Sequence, residues 1–341
     1  MRLASLVVLA FASTISAAPP KGLEIHFIDT EGGAATLLIT PAGESMLIDC
    51  GNPGSRDAER IHKVTEQAGL KQIDHLVTTH WHSDHYGGVD RLNKLIPIKN
   101  FYDHGIDEAI PEVKNAAAMI QSYKDASGGK AKTLKPGDEI KLQQTEGKPS
   151  LTVKCLCGDG KVLGDNPNAP ANPIAKDHMP KPEDKSDNAR SIGLVIQYGD
   201  FRFLDLGDLT WNIEYLLVHP SDKIGPIDVY QTTHHGLEIS NNPVLINTVK
   251  PRVAIFNNGP TKGAHPSVLA TLRRVEGLEA IYQMHKNVKS TNAENTEPDF
   301  IANKEEKCEA NTIQIATAAD GKSYSVNVNG KSKEYKVKGV K

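Results

Sequence analysis

Between Thr79 and Tyr86 the chain reads His80-Trp81-His82-Ser83-Asp84-His85, three imidazoles and a carboxylate within six residues. A solvated loop gains nothing from such a concentration, whereas a cation held by nitrogen and oxygen donors requires it. Residues Asp74 to Thr79 read as a strand, so the run falls at a strand exit. Side chains alternate along a strand, which puts His80 and His82 on one side and turns Trp81 away to anchor the strand end in the core. Asp84 and His85 follow the bend, at the start of a helical pattern, free to face a second cation. The rest of the fold must therefore bring further ligands to the rim where this strand ends.

Suitable residues lie downstream, each at a strand exit. Asp208 ends Phe203-Leu204-Asp205-Leu206-Gly207-Asp208, at the mouth of a hairpin, where a carboxylate can bridge two ions. His234-His235-Gly236 ends the next strand, and His265-Pro266 opens a helix after another. Alone, each is unremarkable: an Asp after Gly is usually a turn, and a His before Pro usually a cap. Nitrogen and carboxylate donors without thiolate fit zinc best, with two ions expected, although iron or manganese accepts the same set. His26, His62, His75, His219 and His285 are expected to pack or to face solvent.

With 341 residues the chain has room for one large or two modest domains, and a formal net charge of -3 gives no global footprint for nucleic acid or an anionic membrane. Residues 1–18 read as a secretory signal: Met1-Arg2, the apolar Leu3 to Ala12, then Ser16-Ala17-Ala18. No other apolar run approaches the roughly 20 residues of a spanning helix, so a secreted or periplasmic product is expected. Cys50, Cys155, Cys157 and Cys308 would then meet an oxidising compartment. Cys155 and Cys157 alternate along a strand and point to opposite faces, so each seeks Cys50, Cys308 or no partner.

Three apolar stretches, Leu23 to Ile28, Ala34 to Thr40 and Ser45 to Asp49, predict an antiparallel meander. A helix follows over Ser55 to Leu70, and a second is expected to open at Pro111 and close at Gly128-Gly129. Residues 158–186, rich in Pro, Asn, Asp and Lys, read as a long surface insertion. Ile192 to Tyr198 and Phe201 to Leu206 form a hairpin across Gly199-Asp200. Strands at Ile227 to Thr233 and Arg252 to Phe256 alternate with helices, the last over Pro266 to Val275. This sheet-then-helix pattern, repeated in two halves, calls for two packed sheets with helices outside. Residues 19–300 form that domain, and residues 301–341 a C-terminal β extension with turns at Asp320-Gly321 and Asn329-Gly330.

The run His80-x-His82-x-Asp84-His85-Tyr86-Gly87-Gly88 resembles the signature of the metallo-β-lactamase superfamily, which implies an α/β fold, an αββα four-layer sandwich. Other landmarks sharpen the likeness: His26-Phe27-Ile28-Asp29 with Gly32-Gly33-Ala34, Leu47-Ile48-Asp49-Cys50-Gly51, Asn188-x-x-Ser191, Leu206-Gly207-Asp208, His234-His235-Gly236 and His265-Pro266. That ordered set is similar to the branch containing the hydrolase domain of the ComEC competence proteins and the phosphorylcholine esterases. The resemblance implies that His80 and His82 hold one ion, that Asp84, His85 and His235 hold the other, and that Asp208 bridges them. His234 is then aimed at substrate oxygen, an order that can be reversed with His235, and Asp49 supports a metal-bound histidine from behind. Many relatives supply another histidine before the bridging aspartate, where this chain has Asp187-Asn188-Ala189-Arg190-Ser191. His178 and His104 are candidates for that ligand, and Asn188 or Ser191 for orienting water or substrate.

The expected chemistry is metal-assisted hydrolysis, with Asp84 orienting the nucleophile and His234 and His265 donating hydrogen bonds to developing charge. An anionic small-molecule ester, a phosphodiester foremost, is the expected substrate. Rival expectations are amide or lactone hydrolysis of the β-lactam type, a non-catalytic binding protein that keeps the metal cage, and an iron oxidoreductase on the same ligands.

Overall fold

A computed structural model describes residues 22–106, 110–308 and 310–339. The expected signal segment, 1–18, lies outside the described residues.

The chain lays down two sheets in succession. The first takes β1 (Glu24–Phe27), β2 (Thr36–Ile39), β3 (Ser45–Ile48), β4 (Ile73–Val77), β5 (Ile98–Asp103) and β6 (Lys132–Thr133). The second takes β7 (Glu139–Ile140), β8 (Leu151–Gly158), β9 (Lys161–Val162), β10 (Gly193–Tyr198), β11 (Phe201–Asp205), β12 (Val229–Gln231), β13 (Val253–Phe256), β14 (Ala280–His285) and β15 (Ile301–Asn303). The tail, β16 (Ile313–Thr317), β17 (Ser323–Val328) and β18 (Lys331–Lys336), then returns to the first sheet, where β16 pairs antiparallel with β1. The meander β1–β2–β3 is antiparallel as its turn residues predict, and the β10–β11 hairpin forms across Gly199-Asp200. From β3 to β6 and from β11 to β15 the pairing is parallel.

Burial explains the layering. Ile25, Phe27, Met46, Ile48 and Val77 of the first sheet meet Val153, Ile196, Phe203, Val229 and Ile255 of the second in one central core. Phe27 and Phe203 cross it edge to face, with ring centroids 5.7 Å apart. The alternate residues Leu37, Leu47 and Leu76 face outward, where α1 (Arg56–Gln67), α2 (Ser83–Tyr86), α3 (Val89–Leu95) and α4 (Ala116–Ser127) cover them. Leu204, Tyr230 and Ala254 do the same on the other side, beneath α5 (Trp211–Leu216), α6 (Pro243–Val249) and α7 (Pro266–Leu272). The result is a four-layer αββα sandwich. The tail is built into it: Ile313, Ile315, Tyr324, Val326 and Tyr335 belong to the central core.

One local expectation needs correction. The second long helix starts at Ala116 rather than Pro111, and Val113 lies in the turns that precede it. The insertion is tied to the surface by specific contacts: Asn172 Nδ2 donates to the Val218 carbonyl, His178 stacks on Tyr215 at 3.8 Å, and the Lys181 ammonium lies 3.6 Å from the Trp211 ring centroid. All four cysteines are free thiols; Cys155 faces the central core and Cys157 the outer one, on the opposite faces that alternation requires.

Candidate metal centre

Parallel strands end on a common side, so the residues just past their C-terminal ends share one rim. Asp49 follows β3, His80 follows β4, Asp208 follows β11 and His234 follows β12. All are buried, His80, His85 and His235 completely.

The carboxylate of Asp208 is the hub. Its Oδ2 lies 3.2 Å from His85 Nε2, 3.3 Å from His235 Nε2, 3.4 Å from His234 Nε2 and 3.9 Å from His80 Nε2. Asp84 Oδ2 adds a second carboxylate, 3.6 Å from His235 Nε2 and 3.9 Å from His85 Nε2. Two ligand groups result, His80 with His85 and Asp208, and Asp84 with His85 and His235. The Nε2 atoms of His80, His85 and His235 are buried without a hydrogen-bond partner. Orphaned ring nitrogens turned toward the same carboxylate are costly in a closed core and are what cations would satisfy.

The groups behind these rings set which nitrogen is free. Asp49 Oδ2 lies 2.6 Å from His85 Nδ1 and accepts the Thr79 hydroxyl at 2.8 Å, while its Oδ1 accepts the Thr79 N–H at 2.8 Å. Since Thr79 Oγ1 donates to Asp49, it accepts from His80 Nδ1 at 3.1 Å. In their neutral forms both rings therefore carry the proton on Nδ1 and present Nε2 as a lone pair, the tautomer a metal requires. Burial and the neighbouring His85 hold the His80 imidazole well below its ordinary pKa. Burial opposes charge on Asp208, but His235, His85 and His234 outweigh it and hold the carboxyl well below its usual range. Burial likewise opposes charge on His85, yet Asp208, Asp49 and Asp84 raise its pKa well above the ordinary value. Without cations, protonated imidazole thus supplies the positive charge that the carboxylates demand.

The rim loop that carries the histidine pair is unusual in its backbone. His234 and His235 both have positive φ, 54° and 55°, a conformation that costs energy for non-glycine residues. Glu214, fully buried on α5, holds the loop by accepting the backbone N–H groups of Asn241 and Asn242 at 3.0 and 2.8 Å. Ser240 Oγ, 3.3 Å from His234 Nδ1, donates to the Leu209 carbonyl and ties the loop back to the Asp208 segment.

Not every expected residue arrives. His82 lies beside His80, with rings 4.6 Å apart, but its Nε2 is turned to Glu112 Oε1 at 3.4 Å. His265 stays out: its side chain is 41% exposed and its Nδ1 accepts from the Ser267 N–H, the ordinary behaviour of a helix cap. His178 is taken up by the Tyr215 stack and by Asn242. His104 Nε2 pairs with Asp187 Oδ2 at 3.0 Å, and the same oxygen accepts the Trp81 N–H, so the residues standing where relatives place a histidine brace the first motif instead. Asn188 Oδ1 and Ser191 Oγ in that turn are buried and without partners. Sequence reasoning passed over Lys262, whose Nζ lies 2.5 Å from Asp84 Oδ2, and Thr79.

Comparison with known proteins agrees with this geometry. Residues 29–150 match the family model described as the metallo-beta-lactamase superfamily, a stretch that contains Asp49 and the whole histidine run. Over this stretch the chain is similar to the metallo-β-lactamase superfamily. Members of that superfamily bind metal ions, typically two. Recombination protein 2 of Haemophilus influenzae is 24% identical over 257 residues, 74% of this chain and 26% of that protein. A beta-lactamase-like protein 2 homolog of Caenorhabditis elegans is 31% identical over 84 residues, 22% of this chain and 28% of that protein. The chain thus spans about a quarter of the length of these curated relatives. Among solved structures, Igni18, a metallo hydrolase of Ignicoccus hospitalis, superposes with a TM-score of 0.42 at 14% identity over 75% of this chain and 94% of that one. CmlA, a diiron β-hydroxylase from Streptomyces venezuelae, gives 0.44 at 13% identity over 78% and 53%.

Proposed function

We propose that this protein is an exported hydrolase with two zinc ions that cleaves a small anionic ester, a phosphodiester foremost. The observation that carries the reading is the set of imidazole nitrogens turned on Asp208 Oδ2 with Asp84 beside it, two carboxylates sharing His85 and His235. His80 and Asp208, with His82 alongside, would hold one ion, and Asp84, His85 and His235 the neighbouring one. Bound there, the ions would supply an activated water at neutral pH and stabilisation of negative charge on the substrate.

The chain's own residues do the rest. Asp49 and Thr79 fix the tautomers of His85 and His80, so that each neutral ring turns Nε2 to the ions. Asp84 stands at the edge of the cluster, 19% exposed, where it can orient a water. His234, beside Asp208 and kept neutral by burial with its pKa lowered to about 4, has Nδ1 turned to Ser240 and presents its Nε2 lone pair next to the cluster, placed to accept a hydrogen bond from substrate or water. Secretion or a periplasmic location is part of the same reading and rests on residues 1–18. Nothing in the site points to a thiolate step, since the three core cysteines are buried and their thiols are pushed up by burial.

The test is an assay of the zinc-loaded full-length protein on bis(p-nitrophenyl) phosphate and on a chromogenic cephalosporin, with metal content measured by elemental analysis. Diester turnover with two zinc per chain is expected. Preferential opening of the cephalosporin would replace the ester by an amide, and absence of turnover on both would leave a metal-binding protein.

A further inference from the structure

We propose that Lys262 is the residue that selects anionic substrates at this centre, binding a substrate oxygen with its ammonium group while the metal side holds the reacting one. The choice of an ester as substrate rests on the function proposed above; the anion-binding role of Lys262 does not.

The ammonium of Lys262 lies 2.5 Å from Asp84 Oδ2, a carboxylate of the metal cluster. A fixed positive charge beside a site built for cations weakens that site by repulsion, so its presence there calls for a benefit. An anion that spans the cations and the ammonium turns the repulsion into attraction on both sides. The side chain is 40% exposed, so a ligand can reach it.

The lysine is held in place by construction. Its loop turns through a Gly259 N–H to Lys262 carbonyl hydrogen bond at 2.9 Å. Asn258 Nδ2 donates to the His285 carbonyl at 2.8 Å, and the Pro260 carbonyl accepts the Val288 N–H at 2.9 Å. The facing loop is the Gly32-Gly33 pair, whose part the hydrolytic mechanism leaves unexplained. A Cβ on Gly32, which has φ +99°, would stand 3.3 Å from both Cβ and Cδ of Lys262. A Cβ on Gly259 would stand 2.5 Å from the Glu31 carbonyl oxygen, and one on Gly33 would overlap the Asp84 carbonyl oxygen. Three glycines thus let two backbones meet, lay the lysine stem across the gap, and bring its head to Asp84. A surface lysine with no task at the centre needs none of this.

The experiment compares the zinc-loaded wild type with Lys262→Gln and Lys262→Arg. Binding of inorganic phosphate is followed by calorimetry, and turnover of anionic bis(p-nitrophenyl) phosphate is set against neutral p-nitrophenyl acetate. One charge-assisted hydrogen bond corresponds to about tenfold in affinity. Lys262→Gln should therefore weaken phosphate about tenfold, raise KM for the diester, and lower the anionic-to-neutral ratio of kcat/KM by a similar factor, with zinc content kept. Lys262→Arg should recover most of the phosphate affinity. Phosphate binding unchanged in Lys262→Gln, no measurable phosphate binding by the wild type, or a loss that follows reduced zinc content would each overturn the proposal. If the wild type does not cleave the diester, the phosphodiester reading fails, and the phosphate titration still decides the role of Lys262.

Discussion

Replacing Asp49 by Asn changes one atom at a position that touches no substrate, and it separates tautomer control from mere packing. Asp49 accepts three hydrogen bonds, two from Thr79 and one from His85 Nδ1 at 2.6 Å. An amide keeps one acceptor oxygen. If that oxygen serves the Thr79 N–H, the amide nitrogen faces His85 Nδ1, and the imidazole relieves the clash by moving its proton to Nε2. That proton then occupies the lone pair directed at Asp208, and the ring cannot bind a cation. Removal of a partner behind a metal-bound histidine costs about 10–100-fold in affinity. The fold loses less: about 1 kcal/mol for each Thr79 bond weakened and about 2 for the imidazole bond, partly offset by no longer burying a carboxylate whose pKa burial raises. A net cost of roughly 2–3 kcal/mol leaves a domain of ordinary stability folded. Zinc titration against a chromophoric chelator should show at least one site weakened by an order of magnitude or more, while thermal unfolding in EDTA shows a single transition lowered by several degrees. Two sites of wild-type affinity in Asp49→Asn would refute the tautomer argument, whatever happened to turnover.

Three other perturbations address separate links. Gly33→Ala puts a methyl group onto the Asp84 carbonyl oxygen, a backbone atom that cannot step aside, so stability should fall by about 2–4 kcal/mol and zinc affinity with it; wild-type values for both would show that the two loops are free to separate. His265→Ala should cost only the cap, about 0.5–1 kcal/mol, and keep zinc stoichiometry and turnover, whereas loss of activity in the folded variant would return this histidine to the site. In zinc-free protein, the His234 pKa is lowered to about 4 by burial, so the stability its neutral ring allows is present above the ordinary imidazole value of 6.5 and lost as pH falls toward 4. Wild type should therefore lose about 3 kcal/mol more than His234→Ala over that interval in denaturant titrations, and parallel pH profiles would contradict the assignment.

Much of the architecture is legible from side-chain period and turn chemistry, because both are local. Alternation in Leu23 to Ile28 and the glycines at 199 and 321 place strands and hairpins where they occur. The start of α4 is less legible, since Pro111 suits a first helical turn and nothing nearby in sequence shows that the chain makes turns until Ala116. The tail reads as an added ribbon because its partner, β1, lies almost 300 residues away, and pairing across that distance leaves no local mark.

The centre divides along the same line. The sequence by itself determined the ligand types, their place at strand exits and the resemblance to the superfamily, because His80, His82, Asp84 and His85 are neighbours whose spacing carries the geometry. Only the tertiary structure decided which distant groups meet them. It brought His235 and His234 to Asp208, left His265 as a cap, gave His104 to Asp187, and set Lys262 on Asp84. Those outcomes depend on loop paths fixed by backbone contacts between elements, and a residue's identity does not record which backbone it will lie against.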